Sequence, residues 1–305
     1  MASAGLPLVS IVTPSYNMGA YIGQAVASVL AQDYPRIEYI VVDGASTDNT
    51  LEVLRAHEGK LTVVSRPDGG PAEAINCGFR MASGSIFGWL NADDTYLPGA
   101  VRGAVEALMA RPATGAVYGD AYWTDVSGSV IGLYPTRDFD PALLAGECFI
   151  CQPACFMRRE VFERVSMLDA ALQYSFDYDL WIRAAEICRF ERLARVFATS
   201  RMHRANRTLG QRRRIFLESM AVLRRHYGYV PFRWVHGYCS YLLDSRDQFY
   251  EPLHPTFLKY LFSLPVGCWH NRGGLGRYWK EWRSVARGGA LTRMVRLRWE
   301  AARRR

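Results

Sequence analysis

Short apolar runs alternate with amphipathic stretches along the first third of the chain. Residues 8–13 (LVSIVT), 37–43 (IEYIVVD), 61–65 (LTVVS) and 85–90 (SIFGWL) have the length and β-branched or aromatic content of strands, the first stopping at Pro14. Between them, residues 20–32, 48–57, 72–82 and 98–110 carry Ala and apolar residues at helical spacing. Strand, helix and strand in this rhythm predict right-handed crossovers and a mainly parallel sheet flanked by helices. Polar clusters follow the strands: SYN, DGASTDN, RPDGG and NADD. In an open α/β sheet such loops at the strand ends line the ligand crevice.

Each cluster has a chemistry of its own. Asp43 ends the second strand and is followed by a permissive Gly44 and by Ser46–Asp48, which offer a helix cap; its carboxylate suits a nucleobase N–H or ribose hydroxyls, or simply a turn. Asp68 lies in a Pro-Asp-Gly-Gly-Pro turn. Asp93 and Asp94 repel one another unless water or a cation intervenes, and hard oxygen ligands at a crevice suit Mg²⁺ or Mn²⁺ bridging a diphosphate.

Composition narrows the class. Of 305 residues, 50% are hydrophobic, enough for a sizeable core and against disorder throughout. No secretory leader and no spanning segment is legible, so the chain reads as soluble and unexported. Seven cysteines, an odd number, fit free thiols in a reducing compartment, and Cys148, Cys151 and Cys155 lack the second ligand pair of a zinc site.

The net charge of +8 resides entirely in residues 276–305, where ten Lys or Arg face Glu281 and Glu300. With Trp279, Trp282 and Trp299, this basic end suits an anionic membrane surface or is a solvated helix and tail. No nucleic-acid recognition motif accompanies it, so no nucleic-acid partner is expected. Residues 212–228 read as a helix with Ile215, Phe216, Met220 and Leu223 near one face, and residues 257–269 as an apolar stretch too short to span a bilayer but suited to shallow contact.

PSYN (14–17), VVDGASTDNT (41–50), RPDGG with AEAINCGF (66–79) and WLNADDTYLPGAV (89–101) resemble, in order, the motifs of a family 2 glycosyltransferase of GT-A fold. The resemblance continues through QPACFMRREVF (152–162), FDYDLWIR (176–183) and RMHRANRT (201–208). It implies a Rossmann-like GT-A domain over residues 1–210, with a nucleotide-sugar half at about 7–120 and an acceptor half at about 121–210, followed by a helical, basic extension over 211–305. The activity implied is inverting, metal-dependent transfer from a nucleotide-diphosphate sugar to an acceptor hydroxyl of a saccharide or lipid-linked saccharide, in cell-surface polysaccharide or glycolipid synthesis. The place implied is cytoplasmic, peripheral at the inner membrane face.

By the same resemblance, Pro14, Tyr16, Asn17, Asp43, Ser46, Asp68, Asn76, Asn91 and Asp93 are donor-binding. The metal, Mn²⁺ or Mg²⁺, falls to Asp93 or Asp94, with His203 adding a metal or diphosphate contact; Gln152 and Trp181 are on the acceptor side, and Asp177 aligns with the general base. Two departures stand out: Asn91 replaces the first carboxylate of the usual Asp-X-Asp, and Phe176 replaces the Glu that precedes the base in many relatives. They motivate the alternative of a catalytically silent relative that binds nucleotide sugar or acts as a scaffold. Trp181 sits in a periodic run that also suits core packing, and Asp179 reads as a helix N-cap.

Overall fold

A computed structural model describes residues 5–203, 206–244 and 256–287. The chain divides into two compact units, one comprising Met1–Pro141 with Cys148–His203 and the other Ala142–Glu147 with Arg204–Arg305. In chain order the first elements are β1 (Val9–Ser15), α1 (Ile22–Leu30), β2 (Ile37–Asp43), α2 (Thr50–Arg55), β3 (Thr62–Ser65), α3 (Pro71–Met81), β4 (Ile86–Trp89), β5 (Thr95–Tyr96) and α4 (Ala100–Ala110). Then come β6 (Thr114–Thr124), β7 (Val130–Leu133), the short α5 (Pro141–Leu144), β8 (Cys155–Arg158), α6 (Arg159–Arg164), α7 (Phe176–Ala185) and β9 (Arg189–Arg201). The last are α8 (Arg207–Gly210), α9 (Arg212–Tyr227), α10 (Phe232–Asp244), α11 (Phe257–His270) and α12 (Leu275–Arg287).

The strands form one sheet in the order β3-β2-β1-β4-β8-β6-β9-β5, with β7 also paired to β6. Pairs β1–β2, β2–β3 and β1–β4 are parallel, as the strand–helix alternation requires. Beyond Trp89 the sheet becomes mixed, because β8 runs antiparallel to both β4 and β6 and β5 antiparallel to β9, while β6 and β9 are parallel. The four residues of β8, Cys-Phe-Met-Arg, contain no β-branched side chain. They are a strand because they fill the slot between β4 and β6, which no local pattern announces.

β1 runs through Pro14 rather than stopping there, pairing Pro14 with Val42 and Ser15 with Asp43. Alternate residues of a parallel strand bond to opposite neighbours. Ser15 O accepts from Gly44 N on the β2 side, and Val12 O accepts from Leu90 N on the β4 side. The imide nitrogen of Pro14 therefore faces the β4 side just past its last rung, where no donor is required.

Period-2 alternation puts helices on both faces. Ile11 joins the cluster built with Ile22, Val26, Val101 and Val105 of α1 and α4, whereas Val12 meets α3. There Gly78 is the point of closest approach, since a Cβ on it would lie 2.5 Å from Val12 Cγ1. Phe79 of α3 stacks on Phe87 at 4.4 Å and meets Phe162 edge-on at 4.7 Å. Trp181 of α7 stacks on Trp89 at 5.5 Å.

The second unit packs α9 to α12 around Phe216, Met220, Val235, Tyr238, Tyr260 and Tyr278. Phe216, Met220 and Leu223 of α9 are buried and Ile215 half-buried. His236 lies within this unit with its Nε2 unpartnered, and burial, helped by Lys259, pushes its pKa down to about 4.

Two expectations follow. Gly78→Ala should cost about 1–3 kcal/mol in urea unfolding, because backbone of α3 must withdraw from β1; an unchanged midpoint would show that Val12 yields freely. His236 binds a proton less readily when folded than unfolded, so stability present above pH ~6.5 is lost as pH falls toward 4, by up to ~3 kcal/mol. His236→Leu should remove that component; urea curves for both proteins at pH 7 and pH 4.5 would read it.

Candidate active site

The loops after β1 and β2 lock together. Asn17 adopts φ 52°, and its N–H donates to Ser46 Oγ at 2.8 Å while its Oδ1 accepts from Thr47 N at 2.8 Å. Asp48 Oδ2 accepts from Gly19 N at 3.0 Å. Beneath them Asp43 is fully buried, accepting from Ser46 N at 2.9 Å, from Ser65 Oγ at 2.7 Å and from Ser46 Oγ. Three bonds leave a carboxylate with capacity for another donor. Ser15 Oγ, paired with Asp43 in register, is buried without a partner. Tyr16, by contrast, projects its ring with 59% exposure at the same edge.

Asp68 reaches the same edge, since a Cβ on Gly44 would lie 3.0 Å from its Oδ2; its Oδ1 accepts from Gly70 N at 2.9 Å. Asn76 does not join the group. Its amide is buried, donating to Leu168 O at 2.8 Å and accepting from Leu168 N at 3.0 Å. It ties α3 to the 168 loop instead of facing a donor, because the helix turns it toward that backbone.

The adjacent carboxylates of WLNADD take different environments. Asp94 is 3% exposed; Oδ1 accepts from Arg201 N at 2.9 Å and Oδ2 from Asn91 Nδ2 at 3.1 Å. Burial, and then repulsion from Asp93, push its pKa well above the usual carboxylate range. Asp93 Oδ2 instead lies 3.1 Å from His203 Nε2, and Tyr21 packs against that imidazole at 4.8 Å. The sequence left the metal on Asp93 or Asp94; the geometry places only Asp93 beside His203, while both Asp94 oxygens bind protein donors.

Asn91 also donates to Gln152 Oε1 at 2.9 Å, and Gln152 Nε2 donates to Trp89 O at 2.7 Å. An aspartate at 91 would set a carboxylate against both Asp94 and the Gln152 carbonyl. The amide is the residue that this network accepts. Gln152 is buried beside the acidic turn.

Asp177 is the second residue of α7 and half-buried, its Oδ1 accepting from Tyr178 N at 2.7 Å. Burial first, and the charge of Asp94 next, push the Cys151 thiol well up. Trp181, one helical turn after Asp177, stacks on Trp89, two residues before Asn91, and this contact brings the base candidate and the acidic turn to one locality. All seven cysteines are free thiols.

Two readings change. Trp181 is completely buried against Trp89, so it packs the core and presents no face to a sugar. Asp179 lies inside α7, where it pairs with Arg183 at 2.8 Å; Ser175 occupies the cap position.

Arg201 is the residue that sequence reasoning passed over. Besides its N–H on Asp94, its side chain donates to Asp93 O at 3.0 Å, Val126 O at 2.9 Å and Gln24 Oε1 at 2.6 Å, with the guanidinium 5.2 Å from the Tyr21 ring. Its only signal was its position two residues before His203.

Asp94→Ala should cost about 1–3 kcal/mol, since it strands the Arg201 N–H and the Asn91 amide, whereas Asp94→Asn retains an acceptor and should cost less. Equal urea midpoints for the two variants would refute the hydrogen-bonding role.

Residues 10–166 match the family description Glycosyl transferase family 2. The chain is 29% identical over 215 residues to an uncharacterized glycosyltransferase of Rickettsia prowazekii, covering 66% of each, and 28% identical over 208 residues to the chondroitin synthase of Pasteurella multocida, covering 67% of this chain and 22% of that one. The solved mannosyltransferase PcManGT of Pyrobaculum calidifontis, in complex with GDP-Man and Mn²⁺, superposes with a TM-score of 0.56 at 21% identity, over 97% of this chain and 80% of the other, a likeness of fold. The ordered loops at the strand ends and the match across more than half the chain lead to one conclusion: the chain belongs to glycosyl transferase family 2.

Proposed function

We propose that this glycosyltransferase moves a sugar, with inversion, from a nucleotide-diphosphate sugar to a hydroxyl of a saccharide or lipid-linked saccharide at the cytoplasmic membrane face, in cell-surface polysaccharide or glycolipid synthesis. The observation that carries the reading is the approach of Asp93 to His203 at the strand ends, in the same locality as Asp177. The PcManGT complex with GDP-Man and the relation to a chondroitin synthase support the donor and acceptor classes.

Asp43 takes an N–H of the nucleobase once the Ser46 hydroxyl that covers it swings aside, and Tyr16 covers the base or ribose from its exposed position. Asp68 and the Asn17–Ser46 clasp border the nucleoside. The carboxylate of Asp93 and the imidazole of His203, 3.1 Å apart, are of donor types that suit a divalent ion such as Mn²⁺ or Mg²⁺. Asp93 and His203 would hold such an ion, which when bound neutralises charge on the diphosphate. Asp94 and Arg201 keep that pair in place.

Asp177 removes the proton from the acceptor hydroxyl as it attacks. It lies in the first turn of α7, where the helix N-terminus stabilises negative charge. One base and one displacement give inversion.

Calorimetry with a panel of nucleotide sugars in Mn²⁺, Mg²⁺ or EDTA tests the reading. One donor should bind in a metal-dependent manner, and Asp93→Ala or His203→Ala should weaken it at least tenfold. Asp177→Asn should keep donor binding and lower transfer or donor hydrolysis by about 10²–10⁴-fold. Wild-type turnover in Asp177→Asn would displace it as base; donor binding without turnover on any acceptor would favour the silent relative.

A further inference from the structure

α11 has one face that is fully committed and one that is not. Its inner residues Lys259, Tyr260, Ser263 and Gly267 are buried. Tyr260 stacks on Trp282 at 4.2 Å, Tyr278 Oη donates to Ser263 O at 2.8 Å, and Lys259 pairs with Asp244. Asn271, at the end of the helix, exchanges hydrogen bonds with the Val230 backbone at 2.7 and 3.0 Å. These contacts set the rotation of the helix.

With that rotation, the outward arc consists of Phe257, Leu258, Leu261, Phe262, Pro265 and Trp269, and contains no polar side chain. Leu258 is 65% and Trp269 66% exposed. A helix at a water-facing surface ordinarily presents charge on this side, and a continuous apolar strip marks a surface that something covers. Leu275 and Trp279 of α12 are exposed apolar residues as well.

Charge identifies the cover. Between residues 256 and 287 the only acidic residue is Glu281, and Tyr229 Oη donates to it. Arg272, Arg277, Lys280 and Arg283 are exposed. Two of them sit on exposed tryptophans: the Arg272 guanidinium is 3.7 Å from the Trp269 ring centroid, and that of Arg283 is 6.0 Å from Trp279. Residues 288–305, which lie outside the described structure, add six arginines against Glu300 in sequence. A second copy of this face would bring like charge against like charge. An anionic bilayer surface complements both features, taking the apolar arc among its acyl chains and the guanidinium groups at its phosphates.

We propose that α11, with the cations of α12, is an interfacial membrane-docking face for anionic lipid. The helix lies in the plane of the interface: 14 residues span about 21 Å, short of the ~30 Å hydrocarbon core. No helix among the described residues is long and apolar enough to cross a membrane. Tryptophan at the end of the arc suits the headgroup boundary. The assignment deepens the membrane-face element of the proposed function, but it rests on the second unit alone.

The test is co-sedimentation of the full chain with vesicles of phosphatidylcholine, with and without 30% phosphatidylglycerol, at 0.05 and 0.5 M NaCl. Binding to the anionic vesicles is expected at low salt, falling several-fold at high salt. Leu258→Ser with Trp269→Ser should lower partitioning at least tenfold, and Lys280→Gln with Arg283→Gln several-fold, with far-UV circular dichroism and donor binding unchanged in both. Wild type that stays in the supernatant at low salt overturns the proposal. So does equal binding to neutral vesicles, or unchanged binding by the Leu258/Trp269 variant. A wild-type dimer by sedimentation velocity that this variant dissociates, without vesicle binding, would assign the face to a second copy. Donor binding and turnover, measured in parallel, separate failure of this face from failure of the catalytic reading.

Discussion

The burial of Asp94 is the constraint from which the site geometry follows. A carboxylate removed from water must be surrounded by donors, and Asp94 obtains them from the backbone of Arg201 and the side chain of Asn91. The first bond joins the turn after β4 to the end of β9, more than a hundred residues away in sequence. The second holds the turn itself and passes through Gln152 to the Trp89 carbonyl. With those ends fixed, Asp93 and His203 have no choice but to meet.

Seen this way, the two adjacent aspartates divide the work that their charge creates. One is buried, its pKa raised, and serves the architecture; the other is half-buried and keeps an imidazole as its neighbour. Arg201 enables the division. It supplies an N–H to Asp94 and a guanidinium to the Asp93 carbonyl, and it anchors itself on Val126 and Gln24. The amide at position 91 belongs to the same arrangement, since a third carboxylate would leave Asp94 with repulsion where it now has a donor. The departure from Asp-X-Asp is therefore accommodated by the fold.

The edge formed by the loops after β1 and β2 is organised on the same principle with less burial cost. Asp43 lies under a clasp in which Ser46 bonds to it twice and also receives the Asn17 N–H. The clasp uses a positive φ at Asn17 and at Ala45, conformations that persist where surrounding contacts over-determine them. The second unit shows the opposite economy of contacts: α11 uses every polar group on its inner face and leaves its outer face apolar.

Much of the first half was legible in sequence. Period and β-branched content located β1 to β4 and α1 to α4, because local propensity, crossover handedness and burial on both faces all favour the same elements there. The strand ends, and with them Asp43, Asp68 and the NADD turn, followed directly. Pro14 within a strand, β8 without a β-branched residue, Asn76 turned onto Leu168 and Trp181 stacked beneath Trp89 were decided by tertiary structure, since each depends on which neighbour occupies the adjacent space. The choice between Asp93 and Asp94 belongs with these. Nothing in two identical adjacent residues says which will be buried; the return of β9, bringing the Arg201 N–H and His203 to opposite members of the pair, decides it.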